Sequence, residues 1–354
     1  MLSDKGFKPD FERVKAALEF REPDRVPNFE SFVSCKVREK ILGRNIPDGL
    51  AGELSYRTQF GYDFLYLVPP YKKPPIYSNA TYEQCDQNGK NRQWIDQHSN
   101  MIVDWDSFRN YKDYPEPVCP LDLTELKQAV ETARKLPGHV GVGALLPSCP
   151  YTEINLLMGY ENFSMALFED FELCKAIIDK LGKVGVASVE QLVNVDIDFV
   201  FFGDDMAYTG GMIISPQFMR ELFFPWYRKF IQIARDAGKY VMFHSDGNIE
   251  PVIPDFVEAG LNALNPIEPA AMDIVKLKGL YGGKLALIGN IDVDLLSRGS
   301  IAEVAALTKK RLEELKPGGG FLLGSSNSVC DYVNHENYIA MLNTNYEFGE
   351  YGGK

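Results

Sequence analysis

Short apolar runs bounded by turn residues and separated by helical patterns recur eight times along the chain. They are VPNFESF (26–32), YDFLYLV (62–68), HVGVGALL (139–146), IDFVFFG (197–203), YVMFHS (240–245), NALNPIE (262–268), KLALIG (284–289) and GFLLGSS (320–326). Their hydrophobicity is nearly continuous rather than alternating, which marks strands covered on both faces, as in a parallel sheet. The helices between them carry their own punctuation. Ser215 and Pro216 supply an N-cap and a first-turn proline for a helix running to about Gly238, which Pro225 should kink. Ser300 with Glu303 predicts a capping box for a helix ending near Lys316-Pro317-Gly318. In Leu123 to Leu136, apolar residues at 126, 129, 130 and 133 share one helical face.

Eight strands alternating with helices predict an α/β fold, a (β/α)8 TIM-type barrel rather than an open doubly wound sheet. The chain has 354 residues, 45% of them hydrophobic. Length alone would suggest two domains, but a barrel uses about 250 residues, so one domain over 1–354 is expected with roughly 100 residues of decoration. The excess falls in an insertion after the second strand, residues 69–120, with a hairpin expected at Asn88-Gly89, and in a doubled helix from Glu153 to Asn194. The insertion is expected over the strand ends or a partner surface. Internal repeats and low-complexity tracts are absent from the sequence.

Charge and cysteine usage narrow the partners. Lys and Arg number 37 against 49 Asp and Glu, a net charge of −12 that disfavours binding to a phosphate backbone. No apolar run reaches the roughly 20 residues of a bilayer crossing, and Met1 to Lys15 is too polar for a signal peptide, so a cytoplasmic protein is expected. Cys35, Cys85, Cys119, Cys149, Cys174 and Cys330 lie far apart without a CxxC pair and read as free thiols. Phosphate-cradling GxxxxGK[ST] and GxGxxG motifs are missing.

In a barrel of this kind the carboxyl ends of the strands converge on one pocket. Those ends carry Glu30, Asp204, Asp205, His244, Asp246, Glu268, Asn290, Asp292 and Asn327. His244 and Asp246 are alternate residues and face one way, which suits a divalent metal; the alternative is a core histidine followed by a capping aspartate. Asp204 and Asp205 read as acid, base, ligand or substrate anchor, or else as turn chemistry. Tyr208 suits a substrate hydrogen bond or plain packing. Glu268 is a candidate ligand flanked by Pro266 and Pro269, which also fit a rigid loop. Asn290 and Asp292 carry the same ambiguity as candidate substrate contacts. Cys330 offers a thiolate only if its pKa is depressed. His335 and Glu336 are expected to open the final helix, while His98 and His139 read as structural.

Taken together, FVFFGDDMAYTGGMIISPQFM, YVMFHSDGNIEPVIPDFVEAGLNALNPIEP, LALIGNID and HENYIAML resemble the uroporphyrinogen decarboxylase superfamily, which includes corrinoid-dependent methyltransferases. The resemblance is strongest from about Asn194 to Leu342 and implies a distorted (β/α)8 barrel. Two departures separate the chain from the decarboxylases. NFESFVSCKVREK, with Glu30 expected to face the cleft, replaces their arginine-rich stretch, and Leu67, Val68 and Pro69 stand where they carry an aspartate. A pocket rich in Asp and Glu would moreover repel a polycarboxylate.

The methyltransferase branch therefore fits better. Its zinc-binding members use a His-x-Cys pair and a later Cys, positions matched here by His244, Asp246 and Asn327, with Cys330 close by. Oxygen ligands would make a harder, more Lewis-acidic site, suited to polarising a methoxy oxygen. The implied reaction moves a methyl group from a small O- or N-methyl compound to a corrinoid. A divalent ion, zinc by resemblance, would be held by His244, Asp246 and Glu268 or Asn327. Asp204, Asp205 and His244 are the expected catalytic residues, and Glu30, Tyr208, Asn290 and Asp292 the expected substrate contacts. With no DxHxxG cobalamin signature present, a separate corrinoid protein is the expected partner; a homodimer is the candidate assembly, on which the sequence itself is silent. The rival readings are a cofactor-free decarboxylase, which predicts Arg or Lys in the pocket, and a non-catalytic binding barrel.

Overall fold

The strands form where the apolar runs predict them. In the computed structural model, residues 2–352 are described apart from 48, 73–80, 86–90, 96–100, 112–119 and 137, with backbone alone for 81–85 and 91–95. The strands are β1 (Phe64–Leu67), β2 (Thr81–Cys85), β3 (Asn91–Ile95), β4 (Gly141–Leu145), β5 (Phe199–Gly203), β6 (Ala207–Tyr208), β7 (Gly211–Met212), β8 (Tyr240–His244), β9 (Ala263–Asn265), β10 (Ala286–Ile291) and β11 (Phe321–Ser325). Seven of them pair in parallel in the order β1-β4-β5-β8-β9-β10-β11, a curled sheet. β2–β3 and β6–β7 are antiparallel hairpins.

The eighth place is filled without a full ladder, which corrects the expectation of a strand over 26–32. Phe29 N donates to Leu323 O at 2.8 Å and Leu323 N donates to Pro27 O at 3.0 Å. Pro27 has no N–H, so the ladder stops there. On its other side the segment reaches β1: Asn28 Nδ2 donates to Gly61 O at 3.0 Å and the Phe29 ring lies 5.4 Å from Phe64. Backbone bridges on one side and side chains on the other thus complete a TIM-type barrel.

Alternation along each strand divides the core. Phe64, Phe199, Phe201, Met242, Ala263, Ala286, Ile288 and Leu322 point inward, where Phe11 and Val14 of the helix Phe11–Leu18 plug the lower end. Leu65, Val200, Phe202, Val241, Phe243, Leu264, Leu287 and Leu323 point outward into the layer beneath the helices. Gly143 makes the interior possible, since a Cβ there would stand 2.2 Å from the Phe199 ring.

The helical punctuation is largely as expected. The helix Thr124–Ala133 buries Leu126, Ala129, Val130 and Ala133, and Ser300 and Glu303 form the capping box of Ile301–Leu315. Pro225 does not simply bend the helix after Ser215. A π turn at Met219–Phe223 absorbs it, and a regular helix resumes over Phe224–Asp236. Residues 150–193 hold three helices rather than two, Pro150–Met158, Tyr160–Glu169 and Phe171–Val193, broken at Gly159 and Asp170. The insertion does contain a hairpin, β2–β3, although its turn at Asn88-Gly89 lies outside the described residues. The neck is zipped by Lys72 N to Pro120 O at 2.9 Å and Asp122 N to Pro70 O at 2.8 Å. Among the described residues no helix is long and apolar enough to cross a membrane.

Candidate metal centre and cavity

The inward parity of the strands carries past their ends. On β8 it runs Met242, His244, Asp246; on β5, Phe201, Gly203, Asp205; on β9, Ala263, Asn265. Register sets Gly203, His244 and Asn265 side by side. His244 Nδ1 lies 2.8 Å from Asn265 Oδ1, which also accepts from Ser31 Oγ at 2.8 Å. An amide oxygen only accepts, so the His244 proton sits on Nδ1 and Nε2 faces the acids. That Nε2 is 3.6 Å from Asp205 Oδ1 and 3.5 Å from Asp246 Oδ1. Asp246 N donates to Asp205 Oδ1 at 3.1 Å, locking the two acids together. Gly247, at φ 79°, makes the turn, and a Cβ there would strike Tyr208 N at 2.5 Å.

This arrangement suits a divalent ion. The ligand atoms of Asp205, His244 and Asp246 all lie within 4.8 Å of one another. Asp246 Oδ1 is buried without a hydrogen-bond partner among the described residues, a cost that a cation removes. One imidazole and two carboxylates make a mixed nitrogen–oxygen set, and the amide behind the imidazole is the kind of support metal-bound histidines use. Glu268 stands beside the set. Burial and the neighbouring Asp246 charge raise its pKa, and Asn327 Nδ2 donates to its Oε1 at 3.5 Å. Cys330 lies apart and hydrogen-bonds Tyr332. The described cysteines Cys35, Cys149, Cys174 and Cys330 are free.

Other expected site residues are placed differently. Asp204 has the outward parity and lies fully buried under the helix layer. It accepts from Tyr151 N (2.8 Å), Thr152 N (2.6 Å), Thr152 Oγ1 (2.7 Å) and Tyr227 OH (2.8 Å), so it caps the helix Pro150–Met158 from another strand. Burial lifts its pKa to about 6. Asp292 caps Val293–Arg298 through Asp294 N at 2.8 Å. Asn290, at φ 85°, spends its amide on Ile267 O at 2.8 Å. Tyr208 is 61% exposed on the β6–β7 hairpin. His335 opens the helix His335–Phe348 as expected, and His139 packs against Arg134, while His98 is outside the described residues.

Glu30 is the sharpest displacement. Phe29 points into the barrel, so Glu30 points out, away from the cleft, and is buried. Ser325 N donates to its Oε1 at 2.9 Å, and Ser325 Oγ lies 2.5 Å from its Oε2. The same hydroxyl also contacts the Asn327 carbonyl, and its single proton serves only one of the two. A protonated Glu30 that donates to Ser325 Oγ satisfies both, in keeping with burial pushing its pKa up to about 8. A raised carboxyl pKa means the native state holds the extra proton, so stability is greatest below the unfolded pKa near 4.5 and falls as pH rises toward 8. Glu30→Gln is expected to remove a loss on the order of a few kcal/mol across that window, read as urea midpoints at pH 5 and pH 8.

Above the inner core lies a cavity of about 750 Å³, lined by Ser31, Tyr66, Phe201, Asp205 and His244 among others. Arg38 and Arg57 also line it beside Glu53, Glu153 and Asp205, so the expected Asp- and Glu-rich pocket carries two guanidinium groups as well. Sequence reasoning missed Ser31, Asn265, Arg57 and Tyr66 as site residues. Strand parity was the available signal for Ser31 and Asn265; Arg57 sits on a helix, Leu50–Phe60, whose direction toward the cavity no local pattern announced.

The model of the uroporphyrinogen decarboxylase (URO-D) family matches residues 96–348, more than half of the chain. The chain belongs to the uroporphyrinogen decarboxylase family. A methyltransferase from Methanosarcina mazei shares the fold of this family member with TM-score 0.68 at 19% identity, over 96% of this chain and 99% of that one. The pneumococcal virulence factor StrH follows at TM-score 0.45 and 11% identity, over 94% and 84% of the two chains. A putative vitamin-B12 independent methionine synthase from Listeria monocytogenes gives 0.40 and 12%, over 65% and 72%. No curated protein matches the sequence.

Proposed function

We propose that this family member moves a methyl group from a small O- or N-methyl compound to a corrinoid carried on a separate protein, assisted by a divalent ion, zinc by preference, in the cytoplasm. The observation that carries this reading is the His244, Asp205 and Asp246 set, with its imidazole oriented from behind by Asn265 and one carboxylate oxygen left without a partner. The shared fold with a methyltransferase and the absence of an acid at Leu67, Val68 and Pro69 support it. His244 Nε2 and the Asp205 and Asp246 carboxylates would hold the ion; when bound, it supplies Lewis acidity toward the leaving heteroatom. The cavity walls orient the methyl compound and exclude water. Glu268, whose pKa is raised by burial and the Asp246 charge, stands beside the site, placed to pass a proton to the departing oxygen or nitrogen.

Arg38 and Arg57 favour a second reading, decarboxylation of an acid without metal or corrinoid. One assay separates the two. Protein purified without chelator is mixed with reduced cobalamin and a panel of methoxylated and N-methylated compounds. Methylcobalamin absorbance that disappears on chelation supports methyl transfer; carbon dioxide release indifferent to chelation sinks it. Asn265→Ala is expected to weaken zinc binding by about 10- to 100-fold with little change in fold, read by competition with a chromophoric chelator.

A further inference from the structure

We propose that Arg57 anchors an anion subsite in the cavity, and that the molecule bound there is a ring-sized apolar compound carrying one carboxylate. The inference deepens the methyl-transfer reading by naming the substrate class, and rests on that reading for the chemistry at the far end of the cavity.

The charge balance around Arg57 comes first. Arg38 Nη1 lies 2.6 Å from Glu53 Oε1 and Arg57 Nε lies 3.3 Å from Glu53 Oε2. One carboxylate therefore serves two guanidinium groups. Arg57 is 3% exposed, and its Nη1 has no hydrogen-bond partner among the described residues. Glu30, another carboxyl in its field, is engaged by Ser325 N and Oγ rather than by Arg57, and burial that raises its pKa to about 8 weakens the charge it offers. Glu153 and Asp205 border the cavity from other elements, the helix Pro150–Met158 and the end of β5. A buried guanidinium with a free N–H on the wall of a cavity is satisfied by an acceptor entering that cavity, and a carboxylate matches its fork.

The wall leading away from Arg57 sets the rest of the molecule. The guanidinium carbon lies 5.3 Å from the Tyr66 ring, Tyr66 lies 5.3 Å from Phe201, and Phe201 lies 6.2 Å from His244. A run of edge-to-face aromatic contacts thus joins the anion subsite to the candidate metal centre. Leu67, Leu145 and Leu146 also line the cavity, so its walls are mainly apolar. A ring-sized apolar body fits between these walls, with its carboxylate at Arg57 and its methylated heteroatom toward His244.

Isothermal titration calorimetry with benzoate and its neutral counterpart benzamide tests the subsite without corrinoid or methyl donor. Wild-type protein is expected to bind benzoate at least about tenfold more tightly than benzamide, and Arg57→Met to bring benzoate down to the benzamide level, with Arg57→Lys between. Equal affinities in the wild type, no benzoate binding, or an Arg57→Met variant that keeps the preference would each overturn the subsite. Should Arg57→Met fail to fold, crystals of wild-type protein soaked in 4-bromobenzoate decide: the carboxylate on Arg57 Nη1 supports the assignment, and a carboxylate bound elsewhere refutes it. Methyl transfer plays no part in these measurements, so its failure and the failure of the subsite are separate results.

Discussion

His244→Ala is expected to strip the protein of its divalent ion and to lower methyl transfer by about three orders of magnitude or more. His244 Nε2 is the one nitrogen in the three-residue set, and Asn265 holds its partner atom Nδ1 so that Nε2 is committed to the acids. Without the imidazole, Asp205 and Asp246 face one another with no cation between them, and two linked carboxylates resist shared ionisation. Metal polarisation of a leaving group contributes several kcal/mol to a transition state, and each 1.36 kcal/mol is tenfold in rate. The fold should persist, because the His244 side chain is 20% exposed and sits at the strand end, above the packed core. Elemental analysis of chelator-free wild-type and variant protein, beside their thermal transitions, checks this. A stoichiometric ion that survives the substitution would remove His244 from the site, and a metal-free wild type would remove the site itself.

The barrel was legible because parallel strands buried on both faces announce themselves as apolar runs, and seven of eight runs pair as strands. The eighth was misread for a physical reason visible in the sequence: Pro27 cannot continue a ladder. The carboxyl end of β8 was legible too, since alternate residues after a strand share a face. The same rule, applied to DD and to FE, would have separated their members. Asp205 follows Phe201 and Gly203 into the cavity while Asp204 follows Phe202 outward, and Glu30 leaves Phe29 to face the helices. What no local pattern held was the packing of Arg57 onto Tyr66, which depends on how the helix Leu50–Phe60 docks against the barrel.

Asp204 shows how far a buried acid can resemble a catalytic one while serving the fold. The helix Pro150–Met158 begins at Cys149, whose side chain makes no cap, so its first N–H groups need an acceptor from elsewhere. Asp204 supplies it, taking Tyr151 N, Thr152 N and the Thr152 hydroxyl, while Tyr227 OH fills the remaining side. A carboxylate at a helix N-terminus also meets the positive end of the helix dipole. Asp204→Ala would leave Tyr151 N and Tyr227 OH buried without partners, each costing about 1–3 kcal/mol, so a loss of about 4 kcal/mol is expected. Against a total stability on the order of 5–15 kcal/mol, that is a large shift of the urea midpoint. Asp204→Asn keeps one accepting oxygen but turns an NH₂ toward donors, and should lose about half as much. Below the unfolding transition, Asp204→Asn should keep its metal content and its rate within a few-fold of wild type. A rate that collapses while the urea midpoint holds would instead return Asp204 to the chemistry.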